Sequence, residues 1–281
     1  MQAIKQINTL DGILSKHRSP PEKIGLVPTM GALHMGHISL VRNSIAENDL
    51  TVVSIYVNPT QFNDRNDLRN YPRTLEKDLE MLNSAGCDIV FVPDNKEMYP
   101  EKDTRRFDFG TLGEVMEGKK RPGHFNGVAQ IVTKLFNAVK PHRAYFGKKD
   151  FQQLAIIRKL VEDLHYSIEI IGCPIIRETD GLAMSSRNTL LSPEERKKAP
   201  EIYKTLVQVK KMMSSRNIPD LERFVEDAVN GTVHLKLDYF QIVNSKTLVP
   251  VKKITKAEPV TACIAAFAGK IRLIDNLDLI A

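Results

Sequence analysis

A chain of 281 residues is long for a single hydrophobic core, so its length predicts two domains. Hydrophobic residues make up 42% and charged residues 26%, and no apolar run approaches the roughly 18 residues of a membrane span, which favours a globular protein without a membrane partner. The net charge of +6 is compatible with nucleic acid and equally with small anionic substrates, so charge alone does not choose between them.

The first residues and the cysteines bear on the cellular compartment. Residues 1–6 lack the long apolar stretch of a signal peptide, and we therefore expect a cytoplasmic protein. The three cysteines, Cys87, Cys173 and Cys263, are far apart and show no Cys-x-x-Cys spacing. This pattern predicts reduced thiols in or near the core rather than a disulfide framework or a zinc site.

Short apolar runs alternate with helical patterns through the first two thirds of the chain. Strands are predicted at 24–27, 50–57, 89–92, 144–146 and 168–171, and helices across 38–45, 75–82, 128–139 and 154–164. The alternation is typical of an α/β protein with a Rossmann-like, doubly wound parallel sheet and right-handed crossovers. Ligands of such a sheet bind at the carboxyl ends of its strands.

The pattern changes after about Arg177. Ser192 and Glu195 have the spacing of a helix-capping box, and polar helices follow. Strands are then predicted at 239–243, 261–267 and 271–274. We therefore predict one domain over 1–177 and a smaller α+β domain over 178–281.

The segment 28–37, which contains His34 and His37, follows the first predicted strand directly. A strand that enters a helix through a glycine-containing turn presents free backbone N–H groups and the positive end of a helix dipole, which suits a phosphate. Two imidazoles would add donors for a polyphosphate whose charge changes during reaction. A surface pair or half of a metal site would show the same spacing.

Two further loops follow predicted strands. At 58–62, the amides of Asn58 and Gln61 could bind hydroxyls or a carboxylate, although Asn-Pro is also common in ordinary turns. At 147–150, a lysine could reach a phosphate, and Asp150 could accept from a ribose hydroxyl or cap the next helix. Gln153 points back toward the same loop, or completes a capping box there.

Two polar segments lie outside these loops. At 184–188, two hydroxyls and the guanidinium of Arg187 would make a good mobile clamp for a triphosphate, although a flexible linker has a similar composition. The glycine-rich, basic segment 121–127 is interpreted as a lid or a simple surface loop.

Taken in chain order, these segments resemble the pantothenate synthetase family, the pantoate:β-alanine ligases of vitamin B5 and coenzyme A biosynthesis. The resemblance covers 28–34 with Gly36 and His37, 58–62, 71–74, 121–125, 145–150 with Gln152 and Gln153, 180–188, and 272–276. No single segment is decisive, but the ordered set is highly specific and spans nearly the whole chain.

The resemblance implies a nucleotidylyltransferase-type Rossmann domain, a C-terminal lid domain and a homodimer. It also implies a reaction in two steps. The carboxylate of (R)-pantoate attacks the α-phosphorus of ATP to give pantoyl adenylate and pyrophosphate, and the β-alanine amine then displaces AMP. Mg²⁺ accompanies ATP.

The resemblance also implies roles for individual residues. The expected ATP contacts are Met30, Gly31, His34, Gly36, His37, Gly147, Lys149, Asp150, Ile176, Met184, Ser185, Ser186 and Arg187. The expected catalytic residues are His34, His37, Lys149 and Arg187, and the expected substrate contacts are Asn58, Gln61 and Gln153. No protein ligand to a metal is expected. Whether His37 donates a proton or only stabilises phosphate charge stays open; charge stabilisation is favoured because pantoate enters as a carboxylate and pyrophosphate leaves readily.

Two positions depart from the family pattern. Met35 stands where the family often has an acidic residue, and we expect little effect because the side chain should point away from the phosphates. Around 76–78 the family commonly has more carboxylates, so that only Asp78 remains as a contact near Mg²⁺ or β-alanine, and we do not assign it as a ligand.

Three other functions remain to be compared. Another adenylyl- or cytidylyltransferase could use the same histidine turn, since fold does not fix substrate. An aminoacyl-tRNA synthetase would need more chain after Arg177 for tRNA recognition. An RNA-binding module would need basic residues interleaved with aromatics, but Trp is absent and aromatics are only 6%, so no nucleic acid partner is expected.

Overall fold

The computed structural model describes residues 1–18 and 22–280. In this part of the chain, six strands form a parallel sheet in the order β1-β4-β3-β2-β5-β6. The strands are β1 Gln2–Ile4, β2 Ile24–Thr29, β3 Leu50–Ile55, β4 Ile89–Phe91, β5 Arg143–Gly147 and β6 Glu169–Cys173. The predicted α/β class with a parallel sheet is confirmed.

Eight α-helices connect or flank these strands in the described residues. They are α1 Ile7–Leu14, α2 Met35–Glu47, α3 Arg65–Asn70, α4 Leu75–Ser84, α5 Asn95–Met98, α6 Met116–Lys120, α7 His124–Val139 and α8 Phe151–Asp163. None of the helices in residues 1–18 and 22–280 is long and apolar enough to cross a membrane.

The sheet is buried on both faces, which explains the continuous apolar runs of its strands. Every residue of β3 is buried. Leu26 and Val52 pack with α1, α7 and α8 on one face, whereas Val27 and Val53 pack with α2 and α4 on the other. This alternation follows from the period-two geometry of a strand.

The strand order places the site. From β2 the chain moves outward through β3 and β4, and then returns to form β5 on the opposite side of β2. The carboxyl ends of β2 and β5 therefore lie side by side where the chain changes direction, and a crevice opens at such a point. The histidine segment follows β2, and the lysine loop follows β5.

The C-terminal part has its own sheet and core. Its elements are α9 Pro193–Lys198, α10 Glu201–Met212, α11 Ile218–Asn230 and the antiparallel strands β7 Leu235–Asn244, β8 Val260–Ala268 and β9 Ile271–Ile280. Leu206 of α10, Val225 of α11 and Ile264 of β8 belong to one buried cluster. The predicted capping box is confirmed, because Ser192 Oγ accepts from the Glu195 amide and Glu195 accepts from the Ser192 amide.

Polar contacts join the two parts. The Arg272 guanidinium of β9 donates to both carboxylate oxygens of Glu117, each at 2.8 Å, and Tyr239 donates to the same carboxylate at 2.9 Å. Arg177 donates in the same two-pronged way to Asp275, at 2.6 and 3.0 Å. All three cysteines are buried and unpaired, as the sequence predicts.

Candidate active site

A cavity of about 220 Å³ opens at the carboxyl edge of the parallel sheet. Each residue predicted to bind ATP or substrate lines it, with the exception of Gly31. Residues far apart in the sequence, such as Gln61 and Arg187, therefore face one space. The small antiparallel sheet contributes no lining residue to this cavity among the described residues.

Gly31 acts through the backbone. Its φ is +79°, and the next residue, Ala32, also has a positive φ of +48°. A Cβ at position 31 would lie 3.0 Å from Oδ2 of Asp78, so this position requires glycine both for its conformation and for its close approach. Gly31 thus shapes the turn that enters α2.

The two histidines bind the beginning of α2 with their own rings. Nδ1 of His34 accepts from the Gly36 amide at 3.1 Å, and Nδ1 of His37 accepts from the His34 amide at 3.3 Å. An N–H donor needs a lone pair on its acceptor, so both Nδ1 atoms are unprotonated and each ring carries its proton on Nε2. The rings lie 4.1 Å apart and form a pair of neutral Nε2–H donors.

The surroundings keep these rings neutral. Burial, together with the nearby charge of Lys149 and opposed by Asp150, lowers the pKa of His34 to about 4. Burial likewise holds the pKa of His37 well below its usual range, with contributions from His34 and Lys149. At neutral pH the histidine turn therefore offers hydrogen bonds and no charge.

The backbone of the histidine turn offers fewer free donors than the sequence suggests. The amides of Gly36 and His34 bind the imidazoles, and those of Ala32 and Leu33 bind Asp78. The expectation of several free N–H groups here is therefore wrong, because side chains of the chain itself occupy them. A phosphate would meet side-chain donors instead.

The amide pair of the 58–62 loop is internally connected. Asn58 donates from Nδ2 to Oε1 of Gln61 at 3.2 Å and to the Gly127 carbonyl at 3.0 Å, and its Oδ1 accepts from Tyr99 and Thr60. Both ends of the Asn58 amide are thus occupied. The hydrogen bond from Asn58 to Oε1 orients the Gln61 amide. Nε2 of Gln61 then donates to Sδ of Met30, another cavity-lining residue, at 3.0 Å.

Helix α7 lies directly against this loop. A Cβ at Gly127 would lie 2.4 Å from the Thr60 carbonyl oxygen, so only glycine permits the contact. The next turns of the helix line the cavity with apolar side chains, namely Val128, Ile131, Val132 and Leu135. One wall of the site is therefore apolar.

Segment 121–127 is a surface turn only over residues 121–123. His124 to Gly127 form the first turn of α7, and His124 and Phe125 are buried. His124 donates from Nδ1 to the Gln61 carbonyl at 2.8 Å, so its Nε2 is the acceptor for Arg121, and burial lowers its pKa to about 4. Buried apolar residues that continue the helical pattern explain the difference.

The lysine loop supplies a free cation. Within the part of the chain that the structure describes, the Lys149 ammonium has no ion pair within 4 Å. Asp150 stands at the N-cap position of α8, but its side chain makes no capping hydrogen bond, so simple capping does not account for it. Asn276 of β9 donates to the carbonyls of Lys148 and Lys149, at 2.9 and 3.0 Å.

The segment after β6 lines the same cavity as the lysine loop. Ser186–Leu190 form a short 3-10 helix, and Ser185 caps it by accepting from the Arg187 amide. Arg187 donates to Asp67 at 2.9 Å and lies 5.6 Å from the Tyr71 ring centre. The guanidinium is therefore held at the cavity by an acidic side chain.

Three residues with clear roles here were not assigned from the sequence. Asp78 binds the turn before the histidines, Asn276 binds the lysine loop, and Asp67 holds Arg187. Two of them carried a sequence signal: position 276 lies within the family-like segment 272–276, and the family pattern singled out Asp78, although for a different contact. Asp67 is an acidic residue near a helix start, a position that capping alone explains.

Comparison with known proteins gives one consistent result. A family model described as Pantoate-beta-alanine ligase matches residues 2–278. A pantothenate synthetase of Bacteroides fragilis is 53% identical over 277 residues, covering 99% of this chain and 98% of the relative. A relative of the same name from Bacteroides thetaiotaomicron is 52% identical over 277 residues, with the same coverage of both chains.

Solved structures agree with these sequence relatives. The pantothenate synthetase of Thermus thermophilus superposes with a TM-score of 0.93 at 41% identity, and all of both chains is covered. The pantoate-beta-alanine ligase of Francisella tularensis, solved with beta-gamma ATP and beta-alanine, superposes with a TM-score of 0.84 at 36% identity, covering 99% of this chain and 98% of the other.

Proposed function

Because the chain belongs to the pantoate-beta-alanine ligase family, we propose that the cavity between the histidine turn and the lysine loop is where it joins pantoate to β-alanine. The enzyme is an ATP-dependent ligase. The observation that carries the assignment of the site is that residues from five separate segments, predicted individually to bind ATP or pantoate, line one cavity.

The ATP phosphates lie, in this proposal, between Lys149 and Arg187. These two cations line a common space, and the histidine pair adds two neutral donors. A planar guanidinium binds phosphate oxygens with two parallel hydrogen bonds, while an ammonium acts as a point charge. Ile176, Met184 and the two serines complete the nucleotide contacts, and Asp150 is placed to accept from a ribose hydroxyl.

The histidines act as hydrogen-bond donors, not as acids. Protonating either ring would require Nδ1 to give up its backbone donor. The Nε2–H groups can instead stabilise negative charge that develops as pyrophosphate separates from the α-phosphorus. This interpretation favours charge stabilisation over proton donation for His37.

Pantoate would occupy the part of the cavity between the amides and α7. Its two methyl groups match the apolar wall of Val128, Ile131 and Val132, and its hydroxyls and carboxylate match the amides of Gln61 and Gln153. The Gln153 side chain makes no hydrogen bond to any described residue, and we therefore place it in direct contact with pantoate. Asn58 acts by orienting Gln61.

The reaction then proceeds in two balanced steps. A carboxylate oxygen of pantoate forms a bond to the α-phosphorus as the bond to the β-phosphate oxygen breaks, and pyrophosphate leaves with its electron pair. The neutral amine of β-alanine next attacks the acyl carbon. The bond from that carbon to the AMP oxygen breaks, AMP leaves with the electron pair, and the amine releases one proton to solvent to give the amide.

We also propose that ATP enters as its Mg²⁺ complex. Mg²⁺ is usually held by substrate phosphates with one or two carboxylates and several waters. Residues 1–18 and 22–280 hold no group of three or more side chains able to ligate a metal, so the ion fits best as part of the substrate. In that role it would neutralise phosphate charge.

Three further assignments rest on family membership. We propose a cytoplasmic homodimer whose C-terminal domain, after about Arg177, acts as a lid. The contacts from Arg272 to Glu117 and from Asn276 to the lysine loop are those that such a lid would make when closed. The dimer is tested by light scattering on the purified protein.

The decisive experiment is ATP–pyrophosphate exchange measured with and without pantoate. Exchange that depends on pantoate and needs no β-alanine supports the adenylate route. Exchange without pantoate would indicate a different adenylyltransferase, and the absence of exchange with both substrates present would contradict the two-step proposal.

A further inference from the structure

Asp78 binds the turn that precedes the histidines. Its Oδ2 accepts from the Ala32 amide at 2.9 Å, and its Oδ1 accepts from the Leu33 amide at 2.8 Å and from the Thr74 hydroxyl at 3.1 Å. The side chain is only 1% exposed. One carboxylate therefore joins the first turn of α4 to the turn between β2 and α2.

The backbone conformation explains why an anion belongs there. Gly31 and Ala32 both have positive φ, and the next two amides converge on one carboxylate, with one amide for each oxygen. Successive backbone N–H groups that converge in this way form a natural anion site. Here the anion is a side chain of the protein itself, so this site is filled before any phosphate arrives.

The carboxylate does not face the substrates. Asp78 is absent from the residues that line the cavity, whereas His34 and His37 line it. All of the hydrogen bonds of Asp78 go to the turn and to Thr74. The side chain of Asp78 is therefore bound to the histidine turn and does not line the cavity.

We propose that Asp78 is a positioning residue for adenylate formation: it fixes residues 31–33 and, through them, the two imidazoles. The proposal rests on the function proposed above. Leu33 is bonded directly to Asp78 and precedes His34, whose amide in turn binds the ring of His37. Loss of the carboxylate releases a turn that contains a non-glycine residue in a left-handed conformation.

The test compares D78N, D78A and T74V with a matched control, E80Q. Asn keeps the shape of Asp78 but presents one N–H to an amide donor, so one of the two backbone bonds is lost. Thr74→Val keeps the carboxylate and removes only its hydroxyl donor, and this variant carries the test if neither Asp78 variant folds. Glu80 lies on the same helix and is exposed, so its substitution changes charge without touching the turn.

Two measurements are made on each folded variant. The first is pantoate-dependent ATP–pyrophosphate exchange, in which we expect kcat to fall about tenfold or more in D78N, further in D78A and less in T74V, because the imidazoles act on charge that appears in the transition state. KM for pantoate should change less than about twofold, since Gln153 lies on helix α8 and not on this turn. E80Q should match the wild type.

The second measurement is the ¹⁵N NMR spectrum of the histidine rings. In the wild type, His34 and His37 should show one unprotonated Nδ1 and a protonated Nε2. In D78N both should move toward mixed tautomers and titrate at higher pH. If Asp78 only stabilises the fold, D78N should have a lower unfolding temperature than the wild type but unchanged histidine signals. That result would overturn the proposal.

The experiments test the proposed function and the positioning role of Asp78 separately. Wild-type exchange without pantoate would contradict the proposed function, whereas the ring spectra of D78N would still decide whether Asp78 positions the histidines. Wild-type kcat together with wild-type ring spectra in D78N would overturn the positioning role and leave the function intact.

Discussion

The side-chain amide of Asn276 donates a hydrogen bond to the main-chain carbonyl of Lys149 at 3.0 Å, and a second to the carbonyl of Lys148. Asn276 lies on the small C-terminal sheet, while the lysine loop follows a strand of the parallel sheet. The loop that carries the free cation of the site is therefore held from outside its own sheet.

Asn276→Ala should weaken this hold. We expect KM for ATP to rise and the adenylation rate to fall, together by about tenfold, because a loop carbonyl that loses its partner costs roughly 1 kcal/mol for each hydrogen bond. Steady-state ATP–pyrophosphate exchange provides the measurement. Asn137→Ala, which removes an exposed amide on α7, is the control and should leave both parameters unchanged.

Substitution of the histidines should distinguish donation of a hydrogen bond from donation of a proton. His34→Ala and His37→Ala should each slow single-turnover adenylation by about 10²- to 10³-fold, the cost of one donor aimed at developing charge. Glutamine places an amide N–H near the position of Nε2, so His37→Gln should retain more activity than His37→Ala. Equal loss in both variants would favour proton donation instead.

Arg187→Lys should impair turnover although it keeps the charge, because an ammonium cannot reproduce the planar fork on phosphate oxygens. Asp67→Asn should have the opposite effect on ATP binding, since it frees the guanidinium. The pair is partly exposed, so KM for ATP should fall by at most about fivefold. An unaltered ATP dependence in Arg187→Lys would favour a linker role for this segment.

Gln153→Ala should affect the first step most. Removal of the Gln153 amide leaves a buried group of pantoate without a hydrogen bond, which should raise the activation free energy of adenylate formation by about 1 to 3 kcal/mol. Amide formation from chemically supplied pantoyl adenylate should be largely restored, while Gln61→Ala should be rescued less if Gln61 also borders the β-alanine position. Equal losses from free substrates and from the adenylate in Gln153→Ala would exclude a role limited to the first step.

Folding stability should fall as the pH decreases from about 6.5 to 4. His34 and His124 have a folded pKa of about 4 because of burial, which lies below that of an exposed histidine. In this window the unfolded chain binds more protons, so the free energy of unfolding rises with pH. Each of these two histidines should lower the free energy of unfolding by about 2 kcal/mol at pH 5 relative to pH 8.

His124→Gln provides the check on this pH dependence. The variant should be less stable at pH 8, because the hydrogen bond to the Gln61 carbonyl is altered, but its urea midpoint should change less between pH 8 and 5 than that of the wild type. A parallel pH dependence in the two proteins would show that His124 is not one of the groups involved.

Periodicity was sufficient to predict the main strands and helices of the parallel sheet, because buried strands and amphipathic helices differ in the spacing of their apolar residues. It could not predict β1, because Gln2–Ile4 lacks the continuous apolar run that marks the equally short β4. It also predicted that α2 begins at residue 38, whereas the helix begins at Met35. Met35 and Gly36 do not belong to the buried apolar face, and the imidazoles that cap the N-terminus of α2 determine where the helix begins.

The site was predicted in outline because its loops follow strands, and strand ends share one edge of the sheet. What the sequence could not predict were contacts between distant residues. Asp78 lies 45 and 46 residues from the amides that it binds, and Asn276 is 127 residues from Lys149 in the lysine loop. Such pairs depend on how helices and sheets pack, which no local pattern contains.

The close approach of Gly127 to the Thr60 carbonyl has a consequence for substrate selectivity. A methyl group on α7 at this position would clash with the Thr60 carbonyl, so the helix and the loop of Asn58 and Gln61 could not keep their present contact. We expect such a change to alter the cavity that Asn58 and Gln61 line and, with it, the size of acid that fits. Enzymes with altered acid preference could therefore be sought by changing the packing between this helix and this loop while every polar group of the site is retained.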